Sequence, residues 1–135
     1  MNEARTGEAL LHLVAEFHTH MGLPVRDAPS EISAERLAAR ASWLFEEVYE
    51  LASSSSIIEQ LDATLDIIYL ALGNLVEMGA PLSPAFEAVH RANLAKRWPD
   101  GLVHTDRDGK ILKPPGWRGP EDALRAILEA HGRKG

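Results

Sequence analysis

Apolar residues recur every three or four positions from Leu10 to Leu94, which is the spacing of helices that bury one face. The third apolar segment has the most regular stripe and ends at Gly79, a residue suited to a helix C-cap. The period predicts four helices. Their predicted ranges are Thr6–Met21, Ser33–Leu51, Ile57–Met78, and a fourth that begins at Pro84, is capped by Ser83 and ends near Lys96.

The pattern changes after Lys96. Two short segments, Val103–Arg107 and Lys110–Lys113, flank Asp108-Gly109, a pair typical of two-residue hairpin turns. A short last helix is predicted at Ala123–His131. Because the connections are short, neighbouring helices should be antiparallel. The predicted fold is an all-α, antiparallel four-helix bundle with a small C-terminal β-hairpin and a short terminal helix.

Length and composition place limits on this fold. The 135 residues suit one domain, with a helical core over about 6–97 and a basic hairpin and tail over about 98–135. The chain contains no Cys, which excludes a disulfide scaffold, thiolate metal sites and a cysteine nucleophile. No apolar run is long enough to span a membrane, and the first ten residues do not resemble a signal peptide. We therefore expect a cytoplasmic protein that has no membrane partner.

Charge is distributed unevenly along the chain. The formal net charge of −6 argues against broad nucleic-acid binding, which needs a basic surface. Residues 41–90 contain eight acidic residues and no Lys or Arg, whereas residues 91–135 contain ten basic residues against six acidic ones. A solvated helix face normally mixes both signs. Either the acids of this stretch repel one another in water, or something else supplies positive charge.

Five acidic residues are placed to meet between the second and third helices. Glu46, Glu47 and Glu50 share one face of the second helix, and Asp62 and Asp66 are four apart on the third. A carboxylate cluster made only of oxygen ligands suits Mg²⁺ or Mn²⁺, and such ions support phosphoryl or nucleotidyl transfer. The alternative is a solvated acidic face with no ligand, which is the commoner origin of two or three Glu at helical spacing.

The same residues resemble the MazG-like all-α nucleoside triphosphate pyrophosphohydrolases, a group that includes phosphoribosyl-ATP pyrophosphohydrolase-like proteins. The family pattern Glu-Glu-x-x-Glu is met by Glu46, Glu47 and Glu50, and the segment from Asp66 to Tyr69, followed by Gly73, is similar to the next family helix. Further similar blocks are Glu16 to Pro24, His90 to Lys96, and Asp108 to Trp117.

The resemblance implies cleavage of a nucleoside triphosphate between its α and β phosphorus atoms, which yields a monophosphate and pyrophosphate. It also implies dependence on Mg²⁺ or Mn²⁺ and assembly as a homodimer or homotetramer. Glu46, Glu47 and Glu50 would be ligands or the base, Asp66 a ligand, and Asp62 would assist. Asn93 and Lys96 match family positions near the phosphates, and Arg91 offers a bidentate donor for substrate. Lys110 and Lys113 are further candidates for substrate binding, although alternating lysines on a hairpin more often protect a sheet edge.

The chain departs from the family pattern at one position. Many members carry Glu three residues before the Asp, and here that position is Ala63. The departure leaves open whether one or two metal ions act. The substrate, for which dUTP or a damaged nucleotide is the leading expectation, is equally open. A catalytically inactive dimerisation, regulatory or nucleotide-sensing module is the alternative function.

Overall fold

The computed structural model describes residues 3–134, and the side chains of residues 7–132. This part of the chain forms five α-helices and no β-strand. The helices are α1 Glu3–His20, α2 Ala34–Ser53, α3 Ile57–Met78, α4 Ser83–Leu94 and α5 Glu121–Lys134. The third helix packs against α2 and α1, and α4 packs against α1 and α5. The all-α class is confirmed, whereas these packed pairs do not establish the predicted four-helix arrangement.

Local capping explains where the middle helices begin and end. Ser33 accepts a hydrogen bond from the Arg36 backbone N–H at 3.2 Å, and Ser56 accepts one from that of Glu59 at 3.1 Å. Gly79 has a φ of 69°, so the left-handed C-cap falls on the residue that adopts it at the lowest cost. The predicted range Ile57–Met78 for α3 is therefore confirmed.

The start of α4 differs from the prediction. Ser83 is the first helical residue rather than the cap, and Leu82 stands at the N-cap without a side-chain hydrogen bond. The Glu8 carboxylate of α1 accepts the Ser83 backbone N–H at 2.9 Å. A side chain from a neighbouring helix thus takes the role that the sequence assigned to a local serine.

The structure does not show the two strands of the predicted C-terminal β-hairpin. The turn at Asp108-Gly109 is present, with a φ of 85° at Gly109, but only one isolated antiparallel bridge joins Thr105 to Ile111. Two strands without a third are marginal in water, and Pro114 and Pro115 follow at once. The segment between α4 and α5 is therefore a loop closed by a turn.

The buried apolar core lies between α1 and α3. It contains Leu11, Val14, Leu72 and Val76, with Ala15, Leu75 and Leu82 packed against it. None of the helices in the described residues is long and apolar enough to cross a membrane alone, and the one pair that qualifies together, α3 with α4, is bent by 119°.

A buried ion pair fixes α2 against α3. Arg40 and Glu77 are each 2% exposed, and Arg40 Nη1 donates to Glu77 Oε2 at 2.6 Å. Arg36 Nε donates to the other carboxylate oxygen at 2.9 Å. Burial raises the pKa of Glu77, but Arg36, Arg40 and His18 outweigh that effect and hold the pKa below its usual range. Gly73 belongs to the same arrangement, because the Arg40 guanidinium occupies the space that a Cβ would need.

We predict that Glu77→Gln lowers the free energy of unfolding by about 3–5 kcal/mol, because it leaves Arg40 buried without a counter-charge. Urea unfolding followed by circular dichroism at fixed protein concentration measures the loss. The matched control is Glu87→Gln, which removes a carboxylate that pairs with Arg91 on the surface of α4. That change should cost less than about 1 kcal/mol.

The free energy of unfolding, measured over a series of pH values, tests this prediction in a second way. A lowered pKa in the folded state means that the stabilisation by Glu77 is complete above the unfolded pKa and is lost as the pH falls through the folded pKa. The wild-type protein should lose this increment on acidification, and Glu77→Gln should not. Equal losses in the Glu77 and Glu87 variants would contradict the assignment.

Candidate metal centre

Three carboxylates converge where α2 and α3 pack together. Glu47 and Glu50 of α2 and Asp66 of α3 each place one carboxylate oxygen within 4.8 Å of the others. The two glutamates are three residues apart and so share one helix face. The serine turn, Ser53 to Ser56, reverses the chain and brings α3 alongside that face. The structure thus unites three of the five acidic residues predicted from the sequence.

The electrostatics of this cluster favour a cation. Glu47 Oε2 is buried and has no hydrogen-bond partner among the described residues. Burial, and then the neighbouring Glu50 and Asp66 carboxylates, raise the pKa of Glu47 to about 7. An unpaired buried carboxylate is costly, and a divalent ion would supply its missing partner. Three carboxylates without nitrogen or sulfur ligands suit Mg²⁺ or Mn²⁺, so these residues fit the implied metal.

The other two predicted ligands lie outside this group. Glu46 and Asp62 are both exposed, on α2 and α3 respectively. Glu59, on the Asp62 face of α3, accepts the backbone N–H of Ser55 at 2.8 Å, so its carboxylate contacts the turn before the Ser56 N-cap. The spacing placed all five acids on adjoining helix faces, but it did not distinguish the three whose carboxylates converge.

A cavity of about 270 Å³ opens beside the cluster. Its lining includes Tyr49 and Glu50 of α2 and Asp62 and Ala63 of α3. Ala63 is 2% exposed, so its small side chain faces the helix pair rather than the solvent. Asp62 therefore borders the space next to the cluster without joining it.

The five predicted substrate-binding residues do not all lie in one place, because they make different contacts. Arg91 donates to Glu87 at 2.7 Å on the surface of α4. Asn93 and Lys110 are exposed. Lys96 and Lys113 instead both lie over the indole ring of Trp117. The structure therefore brings two of the five predicted residues together.

The model of one protein family, phosphoribosyl-ATP pyrophosphohydrolase, matches residues 14–93. The chain belongs to the phosphoribosyl-ATP pyrophosphohydrolase family. A solved crystal structure described as a candidate NTP pyrophosphohydrolase from Exiguobacterium sp. 255-15 is also similar. It is 28% identical, with a TM-score of 0.50, and the match covers 92% of this chain and 96% of that one. Comparison with curated proteins finds no match.

Family membership confirms the prediction of a nucleotide pyrophosphohydrolase. The matched range includes α2, α3 and the three converging carboxylates, whereas Lys96, Lys113 and Trp117 follow its end. The acidic centre thus lies in the part that the pyrophosphohydrolase family shares. The basic residues after α4 belong to the remainder of the chain.

Sequence reasoning missed the pairing of Glu77. That residue was counted among eight acids with no basic neighbour, yet its counter-charges are Arg36 and Arg40, placed just before the acidic stretch. The available signal was that these two arginines are four apart on the predicted second helix and therefore share a face.

We predict that Mn²⁺ raises the melting temperature of the wild-type pyrophosphohydrolase and that Glu47→Gln removes this response. A cation at 100 times its dissociation constant adds about 2.7 kcal/mol of stability through linkage. Without metal, Glu47→Gln should melt at or above the wild-type temperature at pH 8, since it removes one of three repelling carboxylates. Differential scanning fluorimetry with Mn²⁺ and with chelator measures both effects.

The comparison variant is Glu46→Gln, which removes the adjacent carboxylate of α2 that lies outside the cluster. It should retain the Mn²⁺-induced shift. A full shift in Glu47→Gln, or its loss in Glu46→Gln alone, would contradict the three-residue assignment.

Proposed function

We propose that this enzyme hydrolyses nucleoside triphosphates to a nucleoside monophosphate and pyrophosphate with the help of a divalent cation. The observation that supports this most directly is the buried, unpartnered Glu47 Oε2 in a cluster with Glu50 and Asp66. Such an arrangement is unfavourable in an empty helix interface and suits an ion. Deoxyribonucleotides, with dUTP or a damaged nucleotide as the leading candidates, are the proposed substrates.

The chemistry is an attack by water on the α-phosphorus, which breaks the bond to the oxygen that bridges the α and β phosphorus atoms. Bound Mg²⁺ or Mn²⁺ would polarise phosphate oxygens and lower the pKa of water. Glu47, Glu50 and Asp66 would hold the ion, and a carboxylate of the glutamate motif, Glu46 included, would accept the proton of the attacking water. Asp62 borders the adjacent cavity and would assist from there.

We predict release of pyrophosphate from at least one member of a panel of ribo- and deoxynucleoside triphosphates, only when Mg²⁺ or Mn²⁺ is present. Loss of one ligand removes several kcal/mol of charge stabilisation in the transition state, so Glu50→Gln should lower kcat/KM at least about 100-fold. A coupled pyrophosphate assay with chelator controls measures this.

Two comparisons make the assay decisive. Glu35→Gln, an exposed change in the first turn of α2, should leave the rate within about two-fold. Release that is independent of metal would contradict the proposal. Folded protein that binds Mn²⁺ and nucleotide without any turnover would instead favour the nucleotide-sensing module.

We also propose that the active form is a homo-oligomer, a dimer or a tetramer. Both helices of the α2–α3 pair leave large apolar side chains exposed, and large exposed apolar surface is typical of protein–protein interaction sites. Their exposed fractions are 73% for Phe45, 74% for Tyr49, 70% for Ile58, 53% for Leu61 and 53% for Leu65. A second copy of the chain is the occupant that the family resemblance favours. The cytoplasm is the proposed location, in keeping with a chain that has no Cys.

We predict that Leu61→Glu shifts the protein toward monomer, because it places a charge among these exposed apolar side chains of α2 and α3. Sedimentation velocity over a range of protein concentrations measures the change. Leu102→Glu is the control, since Leu102 is 62% exposed on the loop after α4 and lies outside the α2–α3 pair. A wild-type protein that stays monomeric at micromolar concentration would rule out the assembly.

A further inference from the structure

Three side chains of the loop between α4 and α5 contact one another. The His104 imidazole stacks on the Trp98 indole, with ring centroids 4.0 Å apart and an angle of 23° between the ring planes. The edge of the same imidazole faces a carboxylate, because His104 Nε2 lies 2.8 Å from Asp100 Oδ2. An aromatic face and a carboxylate each attract a cation. Both contacts are therefore stronger when the imidazole is protonated.

A tight turn holds this carboxylate in position. The Trp98 backbone N–H donates to the Leu102 carbonyl at 3.2 Å, and the Gly101 N–H donates to the Trp98 carbonyl at 2.9 Å. Asp100 Oδ1 accepts the Leu102 backbone N–H at 2.8 Å, while Oδ2 contacts His104. The Leu102 N–H, and then His104, hold the pKa of Asp100 below its usual range. Asp100 therefore stays a carboxylate over the range in which imidazoles titrate.

The stacked pair also holds the far end of the loop. The Trp98 indole N–H donates to the Leu112 carbonyl at 3.1 Å, and the Leu112 backbone N–H donates to the His104 carbonyl at 2.8 Å. Leu112 is thus bonded to both members of the stack. The β-type pairing in this segment is a single bridge, Thr105 to Ile111. Because backbone pairing is so sparse, the order of the loop depends on these side chains.

Asp100 is the charged group that faces His104. Among the described residues, no other carboxylate lies within ion-pair distance of this imidazole, and no Lys or Arg lies over the indole that stacks on it. Asp106 instead accepts the backbone N–H groups of Asp108 and Lys110. The ion pairs of the two neighbouring helices are internal to each helix, Glu87 with Arg91 in α4 and Asp122 with Arg125 in α5. The charge at this contact therefore changes with the protonation of His104.

We propose that Trp98, Asp100 and His104 form a pH-sensitive switch, which orders the loop between α4 and α5 when His104 is protonated and loosens it when His104 is neutral. An ordinary imidazole changes charge near about pH 6.5, so the switch responds close to neutrality. The three residues follow residue 93, where the match to the family model ends. The switch thus lies outside the matched range, and it does not depend on the proposed function.

The test is hydrogen exchange followed by NMR at about pH 5.5 and about pH 8, which lie on either side of the ordinary imidazole pKa. The probes are the Trp98 indole N–H and the Leu112 backbone N–H, the two donors that close the loop. After correction for intrinsic exchange rates, both should be about two- to five-fold better protected at the lower pH, the value of one exposed cation–π contact. The Trp117 indole N–H, which donates to the Ala92 carbonyl, is the internal reference and should keep its protection.

Variants separate the switch from a general role in the fold. His104→Gln keeps a hydrogen-bond donor but cannot become a cation, so both probes should show the same low protection at both pH values. Asp100→Asn keeps an oxygen for the Leu102 N–H but removes the charge, so it should leave a smaller difference between the two pH values. His12→Gln, an exposed change on α1, is the matched control and should retain the full pH dependence.

Equal protection of the wild-type probes at the two pH values, or better protection at the higher one, would overturn the proposal. The same holds for an equal change at the Trp117 reference, or for a pH dependence that persists in His104→Gln or disappears in His12→Gln. If His104→Gln does not fold, Asp100→Asn and the wild-type series decide the question. None of these measurements needs nucleotide or metal, so a failed pyrophosphate assay would leave the switch intact.

Discussion

The register between α2 and α3 depends on Arg40. Its guanidinium donates at three successive points along α3, to the Leu70 carbonyl at 2.9 Å, to Asn74 Oδ1 at 2.6 Å and to Glu77 at 2.6 Å. A planar group with fixed donor directions makes these bonds in only one alignment of the two helices. Because the helices are antiparallel, the same alignment places Glu47, two turns further along α2, beside Asp66, an earlier residue of α3. The contacts of Arg40 with α3 and the acidic cluster are two consequences of one helix register.

The two clusters have opposite electrostatic characters. At one end of the helix pair, burial of Glu77 is offset by two arginines, and its carboxylate remains the charged form. At the other end, the carboxylates have only each other, and Glu47 Oε2 is left without a partner. The first cluster fixes the helix register in which the second cluster is held. A protein can keep an unfavourable group of charges at a site when the surrounding fold is held by other contacts.

The helical period was sufficient to predict α3 to the residue and the acidic face of α2, because both follow from the repeat within one element. It was insufficient wherever a second element decides the outcome. Glu46 and Glu47 are adjacent, and only the rotation of α2 against α3 selects Glu47 for the interior.

The sequence favoured Ser83 as the N-cap of α4, but Glu8 of α1 accepts the Ser83 backbone N–H instead. The predicted hairpin is reduced to its turn and one bridge, because a turn signal says nothing about whether a third strand is present. The meeting of Lys96 and Lys113 at Trp117 depends on the path of a loop, which no periodicity encodes.

Ala63 shows how a single side chain shapes this centre. It is buried in the α2–α3 pair, one turn before Asp66, and it lines the cavity together with Glu50. A longer acidic residue at this position would extend into that space and bring a fourth carboxylate toward the cluster. With a methyl group there instead, the structure offers three converging carboxylates and an adjoining cavity of about 270 Å³. Three carboxylates and one divalent ion would leave a single net negative charge. The small residue therefore leaves open space beside the acidic cluster where a longer side chain would have added a carboxylate.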